Sequence, residues 1–134
     1  MKPYFTLGKK ERLKSRKLIE QLFKEGKTFT VFPFRIYYLI CPPSDVFLQA
    51  GFTVSGRKFK KAVDRNRIKR LMREAYRLQK QPLELNLQNK RIYLRLFFLY
   101  TGSELPDFAP IKEKMAIVLK KMIKITDETA SSTP

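Results

Sequence analysis

Apolar positions recur along this chain at two spacings, and the elements change where the spacing changes. Leu18, Ile19, Leu22 and Phe23 fall at i, i+1, i+4 and i+5, one stripe of a helix over residues 16–25. Ser15 is placed to cap its start, and Gly26 stands where a left-handed terminating residue belongs. Residues 28–31 form a short β-prone piece closed by Pro33. Over residues 34–41 the spacing drops to two, with Phe34, Ile36, Tyr38 and Ile40 on one face and Arg35, Tyr37 and Leu39 on the other. Pro42, Pro43, Ser44 and Asp45 make a turn, and residues 46–54 read as the returning strand of a hairpin. Residues 62–77 resume helical spacing, with Ile68, Leu71, Met72, Ala75 and Leu78 on one side and Tyr76 at its margin. Residues 82–89 read as a polar connection. Residues 91–100 alternate again, with Ile92, Leu94, Leu96 and Phe98 inward and Arg91 and Arg95 outward. Ile111, Met115, Val118, Leu119 and Met122 space a closing helix. The order is helix, three strands, helix, strand, helix. That predicts an α+β domain over residues 1–126, built on a single mixed sheet of about four strands with three helices. Residues 127–134 are expected to be a polar, disordered tail.

The polar side of residues 62–77 changes the picture. Asn66, Arg70, Arg73 and Arg77 share it, with Lys69 on the flank and Arg65 and Arg67 in the entry turn. Just before it, Arg57, Lys58, Lys60 and Lys61 place four cations in five residues over a helix N-terminus, where backbone N–H groups also attract anions. From Arg57 to Arg77 there are ten Lys or Arg and two acids, Asp64 and Glu74. Like charges three or four residues apart repel by roughly a few tenths of a kcal/mol per pair. A solvated helix face normally mixes signs, so this concentration points to a polyanion.

Composition agrees and narrows the chemistry. With 134 residues, 43% hydrophobic content and a formal charge of +17, the chain suits one folded domain that meets nucleic acid first and anionic membrane second. The apolar run over residues 96–100 is far too short to cross a bilayer, and the basic N-terminus has no apolar signal segment. The single Cys41 suits a buried small hydrophobe in a reducing compartment, and a cytoplasmic location is expected. With no histidine and one cysteine, zinc sites, nucleophilic triads and His-based acid–base catalysis are excluded. The carboxylates are scattered singly among cations, unlike the convergent acids of a two-metal nuclease.

The stretch Gly51-Phe52-Thr53-Val54-Ser55, a short basic loop and then AVDRNRIKRLMREAYR closely resembles the bacterial ribonuclease P protein family. Arg65-Asn66-Arg67 matches that family's RNR signature, flanked by Ala62-Val63 and Ile68-Lys69-Arg70. A weaker similarity runs through Arg12-Leu13 and residues 18–26, and beyond Leu78 only the pattern of elements agrees. The resemblance implies the small basic subunit of a ribonucleoprotein whose RNA, with bound Mg²⁺, removes the 5′ leader from precursor tRNA. The implied partners are that RNA subunit and precursor tRNA. No membrane is implied, no tightly held cofactor is expected on the protein, and the free protein is expected to be monomeric. RNA binding then falls to Arg57, Lys58, Lys60, Lys61, Arg65, Asn66, Arg67, Lys69, Arg70, Arg73 and Arg77. The resemblance also implies a leader cleft between the first helix and the sheet, which maps to Ile19, Phe23, Arg35 and Tyr37. The family's crossover through the basic helix is left-handed, against the right-handed form seen in about 98% of parallel connections.

Two positions depart from the family pattern. Ile19 stands where an aromatic is common, and Gln49 where a basic residue is common. The apolar stripe of the first helix favours core packing for Ile19 and Phe23 over a cleft. Asn66 has two readings, helix cap and RNA contact, of which its Arg face favours the second. Three rivals remain: a ribosomal or other structural RNA-binding protein on the same basic helix, a DNA-binding module and a peripheral membrane protein. The second lacks a helix-turn-helix pair, and the third lacks aromatics on the apolar face of the basic helix.

Overall fold

The computed structural model describes residues 8–131; the expectations placed on residues 1–7 and 132–134 lie outside them. A three-residue 3₁₀ turn, Lys9–Glu11, precedes α1 (Arg16–Glu25), β1 (Lys27–Val31), β2 (Phe34–Cys41) and β3 (Leu48–Val54). Then come α2 (Ala62–Gln79), α3 (Gln81–Lys90), β4 (Tyr93–Tyr100) and α4 (Phe108–Ser131). The strands form one mixed sheet in the order β1-β2-β4-β3. β1 and β2 pair antiparallel, as do β2 and β4, while β3 and β4 run parallel.

The expected hairpin of β2 with β3 does not form, because β4 inserts between them. β4 is apolar on both faces. It buries Leu94, Leu96, Phe98 and Tyr100 on one side and Phe97 on the other, which suits a central strand. β3 takes the edge and reaches β4 by a long crossover through α2 and α3, as parallel neighbours require.

Residues 82–89, expected as a connection, lie in α3. Pro82 lacks the N–H needed to continue α2 but suits a first helical turn, so the chain bends at Lys80 and starts again. Leu83 and Leu87 then bury fully against the core, and among the described residues the α-helix count is four, not three. The tail expectation fails at its start, since α4 continues through Ser131. There the Thr126 hydroxyl accepts Asn86 Nδ2–H at 3.0 Å, and Asp127 pairs with Lys90. Gly26 is also not left-handed: it is extended at φ −73°, ψ 161°. A Cβ there meets Leu22 O at 2.4 Å and Tyr38 O at 2.9 Å, so close approach of helix to strand demands the glycine. Ser15 does cap α1, its Oγ accepting the Leu18 N–H at 3.3 Å.

The main core fills one face of the sheet, where α2, α3 and α4 cover Phe34, Ile36, Leu48, Ala50, Leu96 and Phe98. Tyr76, expected at the margin of α2, lies inside this core with its ring against Phe52 and Phe98 at 5.5 and 5.8 Å. Burial, with Glu84 and Glu11 nearby, pushes its hydroxyl well above the ordinary tyrosine range. The other face is thinly covered. Leu13 and Leu22 meet Phe97 there, with Leu18, Ile19, Tyr37 and Leu39 half-buried beside them. Cys41 is half-buried, and desolvation raises its thiol above the usual range.

Candidate nucleic-acid interface

The cationic loop is anchored by one apolar residue and by two cations. Phe59 is buried, its ring 6.0 Å from that of Tyr100, and its N–H donates to Ser55 O at 3.2 Å. Arg65, from the first turns of α2, donates through Nη1 to Phe59 O and Lys60 O, both at 2.8 Å. Lys58 donates to Thr101 O at 2.5 Å. Anchored in this way, the loop leaves Arg57, Lys60 and Lys61 exposed. Lys61 is the N-cap of α2, without a side-chain cap hydrogen bond.

Along α2, Asn66, Arg67 and Arg70 are exposed, and Lys69 and Arg73 are half-buried. Asn66 lies well inside the helix and does not cap it. Arg77 closes the stripe in a two-pronged pair with Glu74, Nε to Oε2 at 3.1 Å and Nη2 to Oε1 at 2.6 Å. That hydrogen bonding lowers the Glu74 carboxyl and raises the Arg77 guanidinium from their usual values. The cationic candidates therefore divide. Arg65 and Lys58 shape the loop and Arg77 carries its own counter-ion, while Arg57, Lys60, Lys61, Arg67, Lys69, Arg70 and Arg73 have no side-chain partner among the described residues.

Sequence reasoning missed Arg12 and Lys14. The N-terminal segment docks on the free edge of β3, through a bridge of Arg12 to Ala50 and the Leu13 N–H donating to Ala50 O at 2.9 Å. A groove of about 330 Å³ opens between this segment and α2, lined by Arg12, Leu13, Lys14, Ala50, Gly51, Phe52, Lys69 and Arg73. A Cβ on Gly51 meets Leu13 O at 2.9 Å and the Phe97 ring at 2.7 Å, so only glycine lets the segment lie this close. Gln49, where the family often has a cation, instead ties the segment down: its Nε2 donates to Lys10 O at 2.9 Å, and its Oε1 accepts Arg95 Nε–H at 3.3 Å.

On the thinly covered face, Phe23 meets Tyr37 edge-on at 4.7 Å and Phe97 at 5.4 Å. Phe23 is 47% exposed, so the core role that its helical stripe favours does not hold, and Ile19 is only half-buried. Arg35 is exposed one pleat along from Tyr37, opposite Leu99 of β4. The four cleft candidates thus lie on one thinly covered face, with the buried Phe97 ring packed beneath Phe23, Ile19 and Tyr37. Asp64 lies among the α2 cations, while Glu11 and Glu84 are engaged by Lys80, Glu74 by Arg77 and Asp45 by Lys10. No group of three or more acids or cysteines among the described residues is placed to hold a metal ion.

The chain matches the family model of ribonuclease P over residues 7–123. It belongs to the ribonuclease P protein family. It is 40% identical over 131 residues to the ribonuclease P protein component of Porphyromonas gingivalis strain W83, covering 97% of this chain and 93% of that one. To the ribonuclease P protein component of Chlorobium phaeobacteroides it is 35% identical over 123 residues, covering 83% and 84%. Among solved structures it is similar to the ribonuclease P protein of Thermotoga maritima, with a TM-score of 0.62, 28% identity and coverage of 83% of this chain and 96% of that one. The mixed α+β fold is therefore the fold of ribonuclease P proteins, and the rival reading as a ribosomal RNA-binding protein is not favoured.

Proposed function

We propose that this chain, as a ribonuclease P protein component, binds the enzyme's RNA subunit and precursor tRNA in the cytoplasm and leaves bond cleavage to the RNA. The observation that carries this reading is the outward face of α2 and its loop, where seven cations have no side-chain counter-ion among the described residues. Such a surface is unfavourable alone and favourable against phosphates. Each Lys or Arg contact releases counterions, so affinity falls by roughly 0.7–0.9 log units per log unit of salt. The Phe23, Tyr37 and Arg35 surface suits the single-stranded 5′ leader. Each base stacked on an aromatic ring contributes about 1–3 kcal/mol without sequence demands, and the guanidinium takes the backbone.

In this reading Mg²⁺ belongs to the RNA, and the protein binds, orients and neutralises. The test is cleavage of precursor tRNA by a ribonuclease P RNA at limiting Mg²⁺, with and without the protein. Stimulation of cleavage, lost when Arg67 and Arg70 become Ala, is expected. Equal rates with and without protein overturn the reading.

A further inference from the structure

Lys80 is the most deeply buried cation among the described residues, at 2% exposure, and the cationic surface does not use it. Its Nζ lies 2.8 Å from Glu11 Oε1 and 2.7 Å from Glu84 Oε1. The Glu84 pair is local, four residues along the bend between α2 and α3. The Glu11 pair is not, because it joins that bend to the N-terminal segment across 69 residues of chain. The other Glu11 oxygen, Oε2, accepts the Gly8 N–H at 2.5 Å, so one carboxylate folds the 3₁₀ turn and moors it.

The next residue is Arg12. We propose that the groove between Arg12 and Lys14 on one side and Lys69 and Arg73 on the other is a phosphodiester-binding site, and that Lys80 is the positioning residue that holds its N-terminal wall through Glu11. This rests on the RNA-binding reading above and adds to it a second cationic wall on another element.

Three observations carry it. First, no acid lines the groove, and its four cations have no side-chain partner among the described residues. Four like charges facing each other across a channel repel unless an anion enters. Second, the wall cannot hold its own shape. A three-residue 3₁₀ turn is not stable alone, and beyond Glu11 it is tied by Leu13 against Ala50, by Gln49 donating to Lys10 O and by an exposed Lys10–Asp45 pair. Third, a buried ion pair is a poor source of stability, since apolar residues of the same shape usually serve as well. What it supplies is register, because only one placement of Glu11 satisfies the ammonium. The register set at Glu11 fixes which way Arg12 and Lys14 stand. Gly51 lies both in the groove and under the Phe97 ring, so the site joins the aromatic surface to α2 along the β3 edge.

The experiment measures the affinity of the full chain for the RNA subunit over a range of salt. Arg12→Ala with Lys14→Ala is expected to weaken binding more than tenfold and to reduce the slope of log affinity on log salt by roughly 1.4–1.8, the value for two phosphate contacts. The triple variant Glu11→Gln, Lys80→Met, Glu84→Gln removes the buried charges together and so keeps the fold. It is expected to lose affinity and slope in the same way, and to cost nothing further once Arg12 and Lys14 are Ala. Lys80→Arg is expected to restore part of the loss. If the Arg12/Lys14 variant keeps the native slope while Arg67→Ala with Arg70→Ala lowers it, the groove is not a phosphate site although the RNA-binding reading stands. If the triple variant costs as much with Arg12 and Lys14 absent as present, Lys80 does not act through the groove. If neither pair of Ala variants changes the slope, the RNA-binding reading falls as well.

Discussion

The Phe23 ring stands edge-on to the Tyr37 ring, 4.7 Å between centroids and 90° between planes, with nearly half of Phe23 left open to solvent. A T-shaped pair of this kind is usually part of a core. Here it lies where α1 stops short of covering the sheet, and Arg35 continues the strand beyond it with an exposed guanidinium. The rings hold each other upright without closing the surface, which leaves aromatic area available to a third partner.

Tyr37→Ala and Phe23→Ala are each expected to weaken precursor tRNA binding to the holoenzyme by about 5- to 150-fold, the range for one stacked base. Binding of mature tRNA, which has no leader, is expected to be unaffected. Because the rings support each other, the double variant is expected to cost less than the sum of the two. An unchanged ratio of precursor to mature affinity in both single variants places the leader elsewhere.

That surface marks the boundary of what was legible in the chain. α1, α2 and β2 were readable because their patterns are local: a stripe of Ile68, Met72 and Ala75, or an alternation from Phe34 to Cys41, decides the element by itself. Partners distant in sequence were not. Residues 48–54 carry the same alternation whether they pair with β2 or with β4, so the hairpin was the natural and mistaken choice. In α3 the leucines at 83, 85 and 87 repeat at two, a strand-like signal, and the helix comes from Pro82 and from tertiary burial. Phe23 belongs to an apolar stripe, and nothing local says that the sheet beneath it stays half open. The cationic α2 face was visible, but Arg12 and Lys14 join it only through the β3 edge, and Lys80 reads as one more surface cation until Glu11 is placed beside it.

Arg65 and Arg67 are neighbours in one signature yet are expected to fail differently. Arg65 donates to two loop carbonyls, a charge-assisted arrangement, and Arg65→Ala is expected to lower stability by about 1–2 kcal/mol and to loosen residues 57–61. Arg67 is exposed with no side-chain partner among the described residues, so Arg67→Ala is expected to stay within about 0.5 kcal/mol in stability while weakening RNA binding. Thermal unfolding and salt-dependent RNA titration separate the two. Equal loss of stability in both variants contradicts the division.

The end of α4 supplies a pH dependence. Hydrogen bonds from Lys90 and then Asn86 hold the Asp127 carboxyl below its ordinary value of 3.8. A carboxylate with a depressed folded value contributes stability that is present above 3.8 and lost as pH falls through the lower folded value. The last turns of α4 are thus expected to stay attached to α3 through the ordinary carboxylate range and to release only below it. Lys90→Met is expected to raise the Asp127 midpoint toward 3.8 and to speed amide exchange over residues 127–131 at neutral pH. A carboxyl-carbon NMR titration reads the midpoint directly. No movement of it in the variant removes Lys90 as the cause.

Lys80 gives the sharpest stability contrast. Removing one partner from a buried ion pair typically costs about 3–5 kcal/mol, because the remaining charge is left without compensation. Lys80→Met takes the ammonium away from Glu11 and Glu84, whose carboxylates lie 2.8 and 2.7 Å from it, and is expected to fall in that range. Adding Glu11→Gln and Glu84→Gln removes the two carboxylate charges and is expected to recover most of the loss, since a neutral cluster of the same shape suits the site. If the single variant is destabilised and the triple is not, the value of the trio lies in register rather than in energy. If the triple variant is as unstable as the single one, the methylene packing of Lys80 is what matters, and the ammonium is incidental. Denaturant unfolding of the two variants beside the native chain, at one pH and one salt concentration, decides between them, because the triple and single variants differ only at the two carboxylates.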